Sequence, residues 1–183
     1  MIRKSIDAER AAAFAVADLM ITAAKTAPKG CGADKIVALA VDGNEKDSLS
    51  TKMREIAAAL GQDFFNRDAN NVDNAHWVVL IGVKDIPLAL PSCGYCGFAN
   101  CGQCKNAGSH CAFNVTDLGI AVGSAVSIAA DHRIDNRVMY SAGRAAIDLG
   151  YFEKDVKICY AIPLSTSSKS IFFDRDPNNV LIK

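Results

Sequence analysis

Five of the chain's seven cysteines fall within 19 residues, in the stretch SCGYCGFANCGQCKNAGSHCAF from 92 to 113. Their spacing is Cys93-x2-Cys96-x4-Cys101-x2-Cys104-x6-Cys111. Glycines at 94, 97 and 102 let the backbone wrap closely and turn amide N–H groups toward sulfur. Buried cysteines behave as small hydrophobes, but the residues between these are Gly, Asn, Gln, Lys and Ser, too polar to build a core. At 183 residues with half of them apolar, the chain can bury a core without disulfides. The spacing therefore reads as a metal site in a reducing compartment.

Three metal centres compete for these thiols. A four-iron four-sulfur (4Fe-4S) cube spreads its ligands and takes only thiolates, which suits C-x2-C-x4-C followed by a more distant cysteine. Zinc knuckles are commonly two CxxC pairs separated by ~12–20 residues, whereas here only four residues intervene. Cys96-x4-Cys101-x2-Cys104 also opens like the plant-type two-iron pattern, which would need Cys159 as its remote fourth ligand. The spacing favours the cube. A structural zinc on the same cysteines, pinning a loop that cannot order itself, is the non-enzymatic alternative.

Charge excludes one class of partner. Lys plus Arg equals Asp plus Glu at 20 each, with no basic block, so the electrostatic footprint of a nucleic-acid binder is missing. The opening apolar stretch is interrupted by Asp7, Glu9, Arg10 and Asp18, unlike a signal sequence, and no membrane-crossing run is expected elsewhere. The expectation is a soluble cytoplasmic protein with no membrane association.

Periodicity outlines the remainder. Residues 6–27 form an amphipathic helix with Ala12, Val16, Leu19, Met20 and Ala23 on one face, stopped by Pro28 and Gly30. Strands are expected at KIVALAV (35–41), HWVVLIGV (76–83) and VKICYAIPL (156–164), and helices at 48–60, 116–131 and 135–149. Alternating strands and helices make one α/β (α+β) domain over 1–183, with the cysteine segment 92–113 inserted into it. The polar SSKSIFFDRDPNN end is expected to be a surface arm or an exchanged segment.

Other chemistry is sparse. Cys31 in KGCGAD reads as a loop thiol, and His76, His110 and His132 assemble no nucleophilic triad. His110, next to Cys111, could stand in as a metal ligand. Gly119 and Gly123 would let a helix approach closely, and no phosphate-loop or GxGxxG pattern occurs. No catalytic residue is assigned, so enzymatic activity is left open.

CGYCGFANC resembles the CGxCGxxxC core of 4Fe-4S domains in corrinoid iron–sulfur proteins and in electron-transport B subunits of anaerobes. That resemblance implies Cys93, Cys96, Cys101 and Cys111 as ligands, with Cys104 extra. Its last spacing is shorter here, and Cys104 lies within it. The nine-residue return GQCKNAGSH, with Gly102 and Gly108, can carry Cys111 to the far side of a cube. The continuation CAFNVTDLGIAVGSAVSIAADHRIDNRVMYSAGRAAIDLGY resembles a prokaryotic family of ferredoxin-domain-containing proteins of unknown function, over nearly the whole chain.

ITAAKTAPKGCGADKIVALAV, SAGRAAIDLGY and the strand leading to FFDR are similar in layout to the nitroreductase-like flavoprotein fold. This second resemblance implies a homodimer holding flavin mononucleotide (FMN) at the subunit interface, with the apolar helices after Cys111 packed across a two-fold axis. It also implies Arg3, Lys4 and Arg175 near the phosphate and the loop Pro28–Gly32 facing the ring. The opening IRKSIDAER lacks the paired arginines usual there. The expected function is a redox or electron-transfer role, with a redox partner protein or a small-molecule electron acceptor.

Overall fold

A computed structural model describes residues 2–173. Its centre is the strand β2 (Trp77–Lys84), flanked by β1 (Ile36–Val41) and β4 (Val156–Ser165), with the two-residue β3 (Asp135–Asn136) completing the order β1-β2-β4-β3. All pairings are antiparallel, with Leu39 opposite Leu80 and Leu80 opposite Ala161.

WVVLIGVK is nearly continuous in apolar residues because both faces of β2 are covered. Val79, Ile81 and Val83 point to one side, where α1 (Ser5–Thr26) and α5 (Ala112–Asp131) pack. Val78 and Leu80 point to the other, against α2 (Gly43–Leu60), α3 (Phe64–Asn74) and α6 (Tyr140–Asp148). Alternation along a strand sends successive side chains to opposite faces, so one segment nucleates two cores in a three-layer arrangement.

The expected helix and strand positions hold in outline, with α5 starting four residues early at Ala112, α4 (Cys101–Asn106) forming inside the cysteine segment, and four further differences. The 48–60 helix begins at Gly43, because its first turn GNEK is polar and carries no apolar period. The helix α3 was not expected, since FFNRDANNVDN is rich in Asn and Asp, yet it buries Phe65, Ala69 and Val72. The 135–149 helix is split: Asp135 and Asn136 pair with Ser165 and Leu164, and the helix starts at Tyr140. On α1 the buried face is Ala13, Val16, Ala17, Met20 and Ala24, with Leu19 exposed. The alanine-rich stretch contains two overlapping stripes, and contact with α5 selects the second.

Close approach occurs at a different glycine from those expected. A Cβ on Gly119 or Gly123 would meet nothing within 4 Å, whereas one on Gly143 would lie 2.0 Å from the Cys159 carbonyl oxygen. Gly143 therefore lets α6 lie directly on β4. The start of the polar end is not an arm: Phe172 is fully buried against the α2, α3 and α6 side. Among the described residues α5 is the one helix long and apolar enough to cross a membrane, a run the sequence reading did not expect. It buries Asn114 and Asp117 and packs on α1 and the sheet, as a core helix does.

Candidate metal centre

β2 leaves the sheet at Lys84, and the chain runs without regular structure to α4 (Cys101–Asn106) before entering α5. This excursion forms the cysteine pocket. Asn100 caps α4: its Oδ1 accepts from Gln103 N at 2.9 Å, and Gln103 Oε1 accepts from Ala99 N at 3.3 Å, a reciprocal cap that fixes the first turn. Cys101 and Cys104 stand three apart on that helix and so share a face. Gly108, at φ 66°, closes the helix and turns the chain back, with Ser109 N donating to Cys104 O at 3.0 Å. The return ends at Cys111, the N-cap of α5, whose side chain makes no capping bond. The positive end of a 20-residue helix thus lies beside that sulfur.

Cys93, Cys96, Cys101, Cys104 and Cys111 all line one small cavity of about 20 Å³, with Pro87, Leu90 and Phe98 among its apolar walls. Cys104 and Cys111 are buried, and the other three are half-buried. Tyr95, between the first two cysteines, stacks on Phe113 at 5.4 Å and 10°, which braces the first cysteine turn against α5.

The thiols are not equivalent. The Cys96 thiol is held below its ordinary value, first by a hydrogen bond from the Phe98 backbone and further by the Cys104 thiol. Burial pushes Cys104 up, and the neighbouring Cys96 adds to that. Cys96 is therefore the more readily ionised of the pair, and Cys104 Sγ lies 3.4 Å from Ser109 O as a hydrogen-bond donor.

The donor set suits a metal centre bound by thiolates. Five thiols surround a shared cavity. All-sulfur donors in an apolar shell suit iron–sulfur chemistry.

The other candidates lie elsewhere. Cys159 faces the core opposite Gly82, where burial pushes its thiol up to about 12. It is outside the cavity, so the two-iron pattern lacks its fourth ligand. His110 pairs with Asp85 at 3.2 Å, His76 meets Thr166 at 2.9 Å, and His132 caps the end of α5. Cys31 is exposed on a 3-10 turn (Gly30–Gly32) at φ 56°. That turn lies near the pocket, since a Cβ on Gly30 would reach Leu88 and Phe113. Arg3 and Lys4 are exposed at the opposite end of α1, about 33 Å away at 1.5 Å per helical residue. Arg175 lies outside the described residues.

Two residues escaped the sequence reading. Asn114 donates to the Lys84 and Ile86 carbonyls at 3.2 and 3.0 Å, and the buried Asp117 accepts from Gly30 N at 3.0 and 3.1 Å. Their signal was present, as polar residues three apart just past the last clustered cysteine in an otherwise apolar helix.

Solved structures share this fold at low sequence identity. A Desulfovibrio desulfuricans protein named as a nitroreductase and solved in complex with FMN superimposes with a TM-score of 0.57 at 14% identity, over 92% of this chain and 84% of its own. A BluB-like flavoprotein from Clostridium difficile 630 gives 0.53 at 18%, over 90% and 85%. The fold is nitroreductase-like. Residues 107–175 match the family described as uncharacterised proteins containing a ferredoxin domain. That description and the fold together support a redox role. An uncharacterised protein of Archaeoglobus fulgidus is 41% identical over 167 residues, 87% of this chain and 89% of its own. With a relative so similar along nearly its whole length, the chain belongs to this family of ferredoxin-domain-containing proteins.

Proposed function

We propose that the chain is an electron-transfer protein that holds a 4Fe-4S cluster through Cys93, Cys96, Cys101 and Cys111 in a reducing, cytoplasmic setting. The observation that carries this reading is the convergence of five thiols on one apolar-walled cavity. Such a cluster supplies one-electron transfer when bound. The chain's part is to present thiolates, exclude water with Pro87, Leu90 and Phe98, and donate hydrogen bonds toward sulfur. Cys104 Sγ, which donates to Ser109 O at 3.4 Å, suits a hydrogen-bonding part more than a ligand's, which leaves Cys111 as the fourth ligand.

A flavin is the natural second redox group on this fold, since one of the structural neighbours was solved with FMN. Arg3 and Lys4 stand a whole helix away from the Pro28–Gly32 loop, so a single FMN touching both needs two protomers. The outer face of α5, with Val115, Gly119, Ile120 and Gly123 exposed and no charge between Leu118 and Ala130, suits a homodimer contact. The electron acceptor is then a partner protein or a small molecule.

Anaerobic purification followed by iron, sulfide, zinc and flavin analysis tests the reading. Iron and acid-labile sulfide in equal amounts with a brown visible spectrum are expected. Colourless protein with stoichiometric zinc would establish the structural-zinc alternative instead.

A further inference from the structure

We infer that Asn114, supported by Asp117 one turn later, is a positioning residue that arranges the thiol pocket before its metal arrives. The inference rests on the iron–sulfur reading of the cavity. Cys111, Asn114 and Asp117 follow one another at three-residue intervals along the start of α5, and all three are buried. The same short stretch of helix therefore carries a cavity thiol and two anchors.

The anchors grip the two chain segments that border the cavity. Asn114 Nδ2 donates to Lys84 O, the last residue of β2, and to Ile86 O, where the chain departs toward Pro87, Leu90 and Cys93 of the cavity wall. Asp117, 5% exposed, accepts the Gly30 N–H on both oxygens. It draws in a turn that abuts Leu88, on the departing segment, and Phe113, the ring under Tyr95.

Only a primary amide donates to two carbonyls from one short side chain. Asn114 Oδ1, by contrast, is buried with no partner. An unsatisfied buried acceptor costs stability, so a position kept for stability alone would favour an apolar residue. The half-satisfied amide marks a constraint that resides in its two donors. Ile86 O also accepts from Lys35, and Lys84 O from Ile86 N. Removing the amide therefore loosens the segment without stripping its carbonyls.

The test compares Asn114→Ala and Asn114→Asp with Ser141→Ala. The last removes an equally buried bond, from Ser141 Oγ to Asp68 at 2.6 Å, on the far side of the sheet. Each variant is purified anaerobically as the full chain, and three quantities are read: melting temperature, the rate of iron loss to a chelator, and the cluster's midpoint potential. Both Asn114 variants are expected to lose iron about ten-fold faster or more than the unaltered chain, as other outer-shell substitutions do, and to shift the potential. Ser141→Ala is expected to lower the melting temperature while leaving iron release and potential unchanged. Asn114 variants that release iron at the Ser141→Ala rate, with an unmoved potential, would overturn the inference. If the unaltered chain takes up no iron, the iron–sulfur reading fails, and amide exchange of residues 85–110 in the metal-free protein decides the positioning role alone. Faster exchange there in Asn114→Ala than in Ser141→Ala upholds it, and equal exchange overturns it.

Discussion

α5 and the cysteine-bearing segment before it meet at Cys111, yet they hold their shapes by different means. α5 buries Leu118, Ala121, Val122, Ala125 and Ala129 against α1 and the sheet, and its order follows from apolar burial. The segment from Asp85 to Asn100 has no regular element and no fully buried side chain. It places Ala89 at φ 57° and Ser92 at φ 67°, each costing about 1 kcal/mol or more in an L-residue. A strained segment with so little apolar burial sits at the low end of local stability. The difference teaches that the fold supplies a rigid wall, while the thiols and what they bind must supply the other.

The largest effect should come from the weak side. Cys93→Ser, Cys96→Ser or Cys101→Ser each removes a thiolate that a hydroxyl cannot replace as an iron ligand, so cluster incorporation should be abolished while far-ultraviolet circular dichroism stays native. Full iron content and an unchanged visible spectrum in all three would break the comparison at its base.

Next comes a substitution on the rigid side. Gly143→Ala would drive a Cβ into the Cys159 carbonyl, where only backbone movement can relieve the overlap. A loss of about 3 kcal/mol in chemical denaturation is expected. A loss below about 0.5 kcal/mol, the range of an ordinary surface change, would mean that α6 does not rest directly on β4.

How much of this was legible in the sequence follows the same division. HWVVLIGV and KIVALAV announced themselves because β-branched runs have few other uses, and the clustered thiols were visible from spacing alone. The helix α3 stayed hidden because its three buried apolar side chains, Phe65, Ala69 and Val72, are embedded among Asn and Asp. The chosen face of α1 and the role of Gly143 depend on partners distant in sequence. Asn114 and Asp117 were overlooked because their meaning lies in Lys84, Ile86 and Gly30, which only the fold brings near.

A finer test concerns the two buried thiols. Cys104→Ser should keep the cluster with a modest change in potential, since a hydrogen bond toward Cys96 is altered. Cys111→Ser should lose or destabilise it. The reverse pair of outcomes, read from iron content and absorption, would make Cys104 the fourth ligand.

The smallest effect is electrostatic and belongs to the rigid frame. Burial raises the Asp34 carboxyl, but hydrogen bonds from Lys25 and the Ile36 backbone outweigh it and leave the group below its ordinary value of 3.8. Asp73 is likewise lowered, with Arg54 and Ser50 outweighing its burial. A carboxyl lowered on folding adds stability above its unfolded value, and that stability is lost as pH falls through the folded value. Both groups are part-exposed, so Asp34→Asn and Asp73→Asn should each cost only about 0.5 kcal/mol at neutral pH. In denaturation at successive pH values each cost should shrink toward zero as pH falls below the ordinary carboxyl value and through the lowered folded one. A cost that persists in acid would show that something other than charge is lost.

The central claim, that this pocket holds one 4Fe-4S cluster on four of its five thiols, is tested most directly by native mass spectrometry of the anaerobically purified chain. The account expects one added mass of four irons and four sulfides per chain, missing in Cys93→Ser and retained in Cys104→Ser. A single zinc per chain, or the same metal load in both variants, would contradict it.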